Sequence, residues 1–174
     1  MNKPMYMVCA WSGAALMCVS GSAWAADAPA ASVHVATAGI VGTYELVKRV
    51  LPNGTEVLPP AIAGLYTMTS GRRNFNVAWT DKDGKPASLS LIAEYTLTGG
   101  KYCQKVKFWL QNNIDKSGIS NEPPAAANDC SPVTVSSGSI TFQEPGGMPV
   151  LSFDKGGLTA TATGQFVDHW KKLR

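Results

Sequence analysis

The chain has 174 residues, 45% hydrophobic and 16% charged, and 15 Lys and Arg against 12 Asp and Glu give a formal net charge of +3. That length is one domain's worth, and a near-neutral balance gives no reason to expect nucleic acid or a strongly anionic partner. Abundant Thr, Ser, Gly, Ala and Val with few charges fit an all-β globular domain rather than a helical or disordered one.

Residues 1–25 read as a secretory signal peptide. Lys3 supplies a short positive start, positions 5 to 19 are mostly apolar, and Ala23 and Ala25 put small residues before a cleavage point. The apolar run is too short for a membrane span. Residues 26–38 are Ala-rich, contain Pro29, and read as a flexible lead-in to a domain at 39–174.

The first strand is expected from Gly39 or Ile40 through Val50, with Tyr44 and Leu46 on one face and Thr43, Glu45 and Val47 on the other. Pro52, Asn53 and Gly54 make a turn, and Asn53 to Thr55 also match a glycosylation sequon. Positions 55–63 contain Pro59 and Pro60, so they suit a loop or edge crossing at the mouth of whatever follows.

From Gly64 to Leu110 the chain reads as a meander of four long antiparallel strands, at 65–70, 72–81, 88–98 and 101–111. Ser70 and Gly71, Asp83 and Gly84, and Gly99 and Gly100 separate them, as hairpin turns require. Apolar residues alternate within these segments. Phe75, Val77 and Trp79 share a face; so do Leu89, Leu91, Ala93, Tyr95 and Leu97; so do Tyr102, Val106, Phe108 and Leu110. A period of two means one packed face and one wet face.

Residues 112–132 form a polar excursion, long for a connection inside a compact domain. Alternation resumes at 133–136, 139–143, 148–153 and 158–172, with Gly-rich breaks between them. In the last segment Phe166, Asp168, Trp170 and Lys172 share a face opposite Val167, His169 and Lys171.

About eight to nine antiparallel strands with short turns result. An open sheet of that size leaves long edges, whereas closure into an up-and-down β-barrel removes them. Around eight strands enclose room for side chains or for one small ligand. Cys103 and Cys130 are the cysteines beyond the leader, and in an exported protein they are expected to pair. Such a bridge contributes about 3 kcal/mol on the chain-entropy model.

Three short motifs resemble the lipocalin-like (calycin) barrels of bacteria. Residues Ile40 to Val47, IVGTYELV, resemble their opening G-T-W-x-L strand. Gly64 to Arg72, GLYTMTSGR, resemble their G-x-L-x-Y-T-x-x-G-R hairpin, and Trp170, Lys171 and Lys172 resemble the closing W-x-R. Tyr44 stands where the family usually has Trp, and Lys172 where it usually has Arg. The resemblance implies a barrel closed by Tyr44, Trp170 and Lys172, with a small hydrophobic molecule inside. Some such barrels carry ligands and others catalyse cyclisation or isomerisation, so the fold does not fix the chemistry.

The residues themselves carry no hydrolase motif, phosphate loop or metal-ligand spacing, so no catalytic residue, metal or cofactor is assigned. His169 is expected on an outer face beside Lys171. Lys101, Lys105 and Lys107 form a solvated outer strip, whose charge suits contact with anionic lipid headgroups. Tyr66, Phe75, Trp79, Tyr95, Tyr102 and Phe108 are the candidate ligand-binding wall. Arg73 shares the face of Phe75 but stands beside a turn, where an arginine head is usually solvated. Buried, it would need a partner and could fix a ligand carboxylate. The expectation is an exported, periplasmic or secreted barrel that binds a small hydrophobic or amphipathic molecule. A small proton-transfer enzyme and a filled-barrel interaction module are the alternatives.

Overall fold

The computed structural model describes residues 39–81, 83–114, 117–147 and 149–174. The leader expected at 1–25 and the lead-in at 26–38 lie outside these residues. In chain order the strands are β1 (Gly42–Val50), β2 (Glu56–Val57), β3 (Ile62–Met68), β4 (Arg72–Thr80), β5 (Pro86–Thr98) and β6 (Lys101–Asn112). They continue as β7 (Ile119–Ser120), β8 (Cys130–Ser136), β9 (Ser139–Gln143), β10 (Val150–Phe153), β11 (Gly157–Ala162) and β12 (Phe166–Lys172). Each long strand pairs antiparallel with the next long one, and β12 pairs back onto β1. Ten strands thus close an up-and-down barrel, and the two-residue β2 and β7 flank it. The count exceeds the expected eight to nine because 158–172 is two strands. Ala162 accepts from Gln165 N at 2.9 Å across the turn that divides it.

The closing seam sets Tyr44 opposite Lys172 and Leu46 opposite Trp170. The Lys172 ammonium lies 5.6 Å from the Tyr44 ring centroid, so the seam carries a cation over an aromatic face. Two β-bulges reset which residues face inward. In β1 the register shifts between Leu46 and Lys48, which leaves Val47 outside and turns Arg49 into the barrel, opposite Asp168. In β6, Phe108 pairs with Ile92 and Val106 with Ala93, so Lys107 is the extra residue. Phe108 and Leu110 therefore face out, and Trp109 and Gln111 face in, against the alternation expected from sequence.

Much of the described part of 112–132 is pinned to the barrel. Cys130–Ser136 is a strand, and Lys101, Tyr102 and Cys103 pair with Pro132, Ser131 and Cys130. A disulfide joins Cys103 to Cys130 at this junction. Beyond it a 3₁₀ turn at Ala125–Asn128 takes over as the partner of β6. Gln104 N donates to Asp129 O (3.2 Å), Val106 N to Asn128 Oδ1 (2.7 Å), and Gln104 Nε2 to Ala127 O (2.8 Å). The segment thereby completes the wall where strand pairing stops.

One end of the barrel is solid. Tyr95, Tyr102, Phe142, Phe153 and Tyr44 run across it as a chain of rings, with successive centroids 5.5, 4.2, 5.8 and 5.5 Å apart. Ile40, Met68 and Leu97 pack in the same buried cluster. Tyr44 Oη donates to Ile40 O (3.0 Å) and Tyr95 Oη to Thr69 O, so these hydroxyls are satisfied by the turns that cap this end.

Candidate ligand site

The other end is hollow. A cavity of about 500 Å³ runs up from the ring floor, walled by side chains of Tyr66, Phe75, Trp79, Trp109, Phe166 and Trp170 with Leu89, Leu91 and Leu158. Its rim holds Leu51, Ile114, Pro124, Pro149 and Gln165, which stand at the strand ends and loops of one side of the barrel. Ile114, Pro124 and Gln165 are exposed, so the cavity reaches the surface. A side pocket of about 370 Å³ adjoins it, lined by Val57, Ile62, Thr80 and Asp81 and sharing Arg49, Leu51 and Trp79.

The aromatic wall is a packed unit. Tyr66 meets Phe75 and Trp170 edge-on, at 5.4 and 6.2 Å between centroids, and Phe75 meets Trp170 at 5.8 Å. Gly64 allows this. A Cβ there would stand 2.7 Å from Cη2 of Trp170, so only hydrogen leaves space for the indole to lie against β3.

Two buried ion pairs sit in the wall. At the mouth, Arg49 grips Asp168 with two parallel bonds, Nε to Oδ1 at 2.7 Å and Nη2 to Oδ2 at 2.8 Å. The guanidinium lies 3.9 Å from the Phe166 centroid and 5.2 Å from that of Trp79, within cation–π reach of both rings. At the floor, Arg73 Nη1 lies 2.7 Å from Glu144 Oε1 and donates to Gln104 Oε1 (3.0 Å) and Tyr102 Oη (3.3 Å). Tyr66 Oη donates to the same Glu144 oxygen at 3.3 Å. Burial works to lower the Arg73 pKa, but the Glu144 carboxylate together with Tyr66 and Tyr102 outweighs it, so the guanidinium is held well above its ordinary value. Burial drives the Tyr66 hydroxyl well above its ordinary pKa against the pull of Arg73, with Glu144 adding to the rise. Tyr102 is raised for the same first reason, again opposed by Arg73.

Of the expected wall, Tyr66, Arg73, Phe75 and Trp79 border the cavity. Tyr95 and Tyr102 belong instead to the solid floor. Phe108 is 46% exposed on the outer surface, displaced by the bulge at Lys107, and is corrected from wall to exterior. Arg73 is 2% exposed, and its carboxylate partner is supplied by the chain itself as Glu144, not left for a ligand. Trp170 is both seam and wall. His169 lies on the outer side of β12, away from the cavity lining, and Lys107 pairs outside with Glu94 at 2.8 Å.

Arg49, Trp109, Gln104, Glu144 and Asp168 border the site as well and were not among the expected wall. Asp168 carried a signal, since it stands between Phe166 and Trp170 on an apolar face, where a carboxylate demands a cation. Among the described residues no cluster of three or more His, Cys, Asp or Glu could hold a metal ion. Comparison with family models, with curated proteins and with solved structures returns no match. The likeness to lipocalin-like barrels therefore rests on the strand motifs and on a closed antiparallel barrel of that general kind.

Proposed function

We propose that the protein is an exported carrier that takes a small hydrophobic or amphipathic molecule into the hollow half of its barrel and holds it unchanged. The surface-reaching, aromatic-walled cavity of about 500 Å³ supports this reading. Ligand pockets generally span about 300–1,000 Å³, mostly apolar with a few fixed polar groups. Magnitudes constrain the guest. Burying one indole-sized group removes about 200 Å² of surface. At about 25 cal/mol per Å² that gives about 5 kcal/mol of drive, which barely meets an association cost of at least about 4 kcal/mol. A useful guest fills most of the cavity, not one corner of it. Export is supported by the Cys103–Cys130 disulfide, a crosslink that persists in oxidising compartments. Among the described residues no helix is long and apolar enough to cross a membrane.

A second reading, a small proton-transfer enzyme, draws on one observation: the Tyr66 hydroxyl stands 3.3 Å from the Glu144 carboxylate inside the cavity. Arg73 occupies the same carboxylate oxygen, which leaves it less free to take a proton from a substrate and favours binding over chemistry. The filled-barrel alternative needs a solid interior, and only the floor half is solid.

Native mass spectrometry of protein purified gently from its own host tests the carrier reading. The expected result is a retained small molecule that is lost when Trp79 and Phe75 are both replaced by alanine. Repeated recovery of the bare mass, with no binding of apolar probes, overturns it.

A further inference from the structure

We infer that the guest is neutral overall and presents hydrogen-bond-accepting oxygens, as a ketone, ester or ether does, to the cavity wall. The inference rests on the carrier reading and narrows it to a chemical class. Two independent features of the wall point the same way.

The first is charge. The Arg and carboxylate residues lining the cavity are Arg49, Arg73, Asp168 and Glu144, two of each sign. Each arginine is already bonded to a carboxylate at 2.7 Å. A carboxylate guest could bind Arg49 or Arg73 only by displacing Asp168 or Glu144, which would strand a buried charge. An ammonium guest would meet the same obstacle with the sign reversed. The wall has no net charge to offer.

The second is the surplus of donors. Among the described residues, the buried side-chain atoms without a hydrogen-bond partner in the protein are Arg73 Nε, Trp109 Nε1 and Trp170 Nε1. All three are N–H groups that can only donate. They come from β4, β6 and β12, and all three residues line this one cavity. Buried donors are rarely left unpaired, and their concentration at one site calls for an acceptor that the chain does not supply. Both indoles border the hollow, and a guest reaches either N–H where the ring turns that edge toward it. A guest hydroxyl would also have to place its own proton, whereas a carbonyl or ether oxygen only accepts.

A matched series tests this with the whole exported domain: fluorene, 9-fluorenone and fluorene-9-carboxylate, measured by equilibrium dialysis. The three share one tricyclic frame and differ in a methylene, a carbonyl and a carboxylate. The expected order is fluorenone about tenfold tighter than fluorene, the ratio for one net hydrogen bond, with the carboxylate weakest. The double variant Trp109→Phe/Trp170→Phe should bring the ratio of fluorenone to fluorene affinity from about ten down to about one, whatever affinity both lose with the smaller rings. A cooperative urea unfolding transition shows that the variant has folded, and the wild-type series decides the matter if it has not. Equal binding of fluorene and fluorenone overturns the donor argument but leaves the carrier reading standing. Tightest binding of the carboxylate overturns the charge argument. Failure of all three to bind counts against the carrier reading itself.

Discussion

The two halves of this barrel are built from the same residue types to opposite ends. At the floor, Tyr95, Tyr102, Phe142 and Phe153 stack ring on ring, Tyr44 meets the last of them edge-on, and no room is left for a guest. Toward the mouth, Phe75, Trp79, Trp109 and Trp170 stand around a hollow of about 500 Å³. The difference lies in how the rings meet rather than in hydrophobicity. Three of the four floor contacts are stacked, the tightest at 4.2 Å between centroids. The rings of the hollow instead meet edge-on or tilted at 5.4 Å and beyond, with Arg49 among them at the mouth and Arg73 beneath them at the floor. An arginine needs a carboxylate beside it. Each ion pair therefore stands where another ring would have filled the core, and the solid half supplies the stability that the hollow half forgoes.

Truncation should expose that division most strongly. Phe142→Ala removes a ring that is 2% exposed in the floor stack, and is expected to cost about 3–5 kcal/mol in urea unfolding. Trp79→Ala removes a larger side chain from the mouth, where the ring is only half-buried, and is expected to cost about 1–2 kcal/mol. Its main effect should be weaker binding of apolar probes. Equal losses of stability from the two would dissolve the distinction. Arg73→Met comes next. It leaves Glu144 buried without its cation, at an expected cost of about 3 kcal/mol, the low end for such a break because the carboxylate borders the cavity. Adding Glu144→Gln should recover most of that loss, since the stranded charge goes with it.

Most of the barrel was legible in the alternation of β3, β4 and β5 and in the turns between them, because a sheet with one buried face writes period two into its residues. The site was less so, and two single residues explain why. Val47 and Lys107 are bulges, and each flips the phase of the strand beyond it. Phe108, Trp109 and Leu110 are three apolar residues in a row, a run that fits either phase, so the alternation from Tyr102 alone selects the wrong one. Arg49 turns inward for the same reason, two residues beyond Val47 on the strand that the bulge resets. Glu144 was hidden differently. It follows β9 immediately before Pro145, and nothing local shows that it reaches Arg73 seventy-odd residues away in sequence. The ion pairs that shape the cavity depend on which strands meet across the barrel, and that is settled only by closure.

A smaller effect should follow from filling the space beside Trp170. In Gly64→Val the new Cβ stands 2.7 Å from Cη2 of the indole and 3.0 Å from the Asn76 carbonyl oxygen, so the ring has to move toward the hollow. The expected cost is about 1–2 kcal/mol for overpacking, with a larger loss of probe binding, measured by dialysis and urea unfolding on the same protein. Intact probe affinity would mean that the indole retreats elsewhere and that the hollow does not depend on Gly64.

The smallest effect near neutral pH belongs to the floor tyrosines, and it grows only in alkali. Burial pushes Tyr44 and Tyr95 each from 10.0 up to about 12. The folded protein keeps these protons where the unfolded chain sheds them. Their contribution is therefore complete below about pH 10 and is lost as pH rises toward about 12. The urea midpoint should hold level up to that point and then fall, with tyrosinate absorbance appearing together with unfolding. Tyr95→Phe should flatten the fall, since a ring without a hydroxyl has no proton to lose. A gradual tyrosinate rise in a still-folded protein would instead show that water reaches these rings, and the floor would then be no more solid than the mouth.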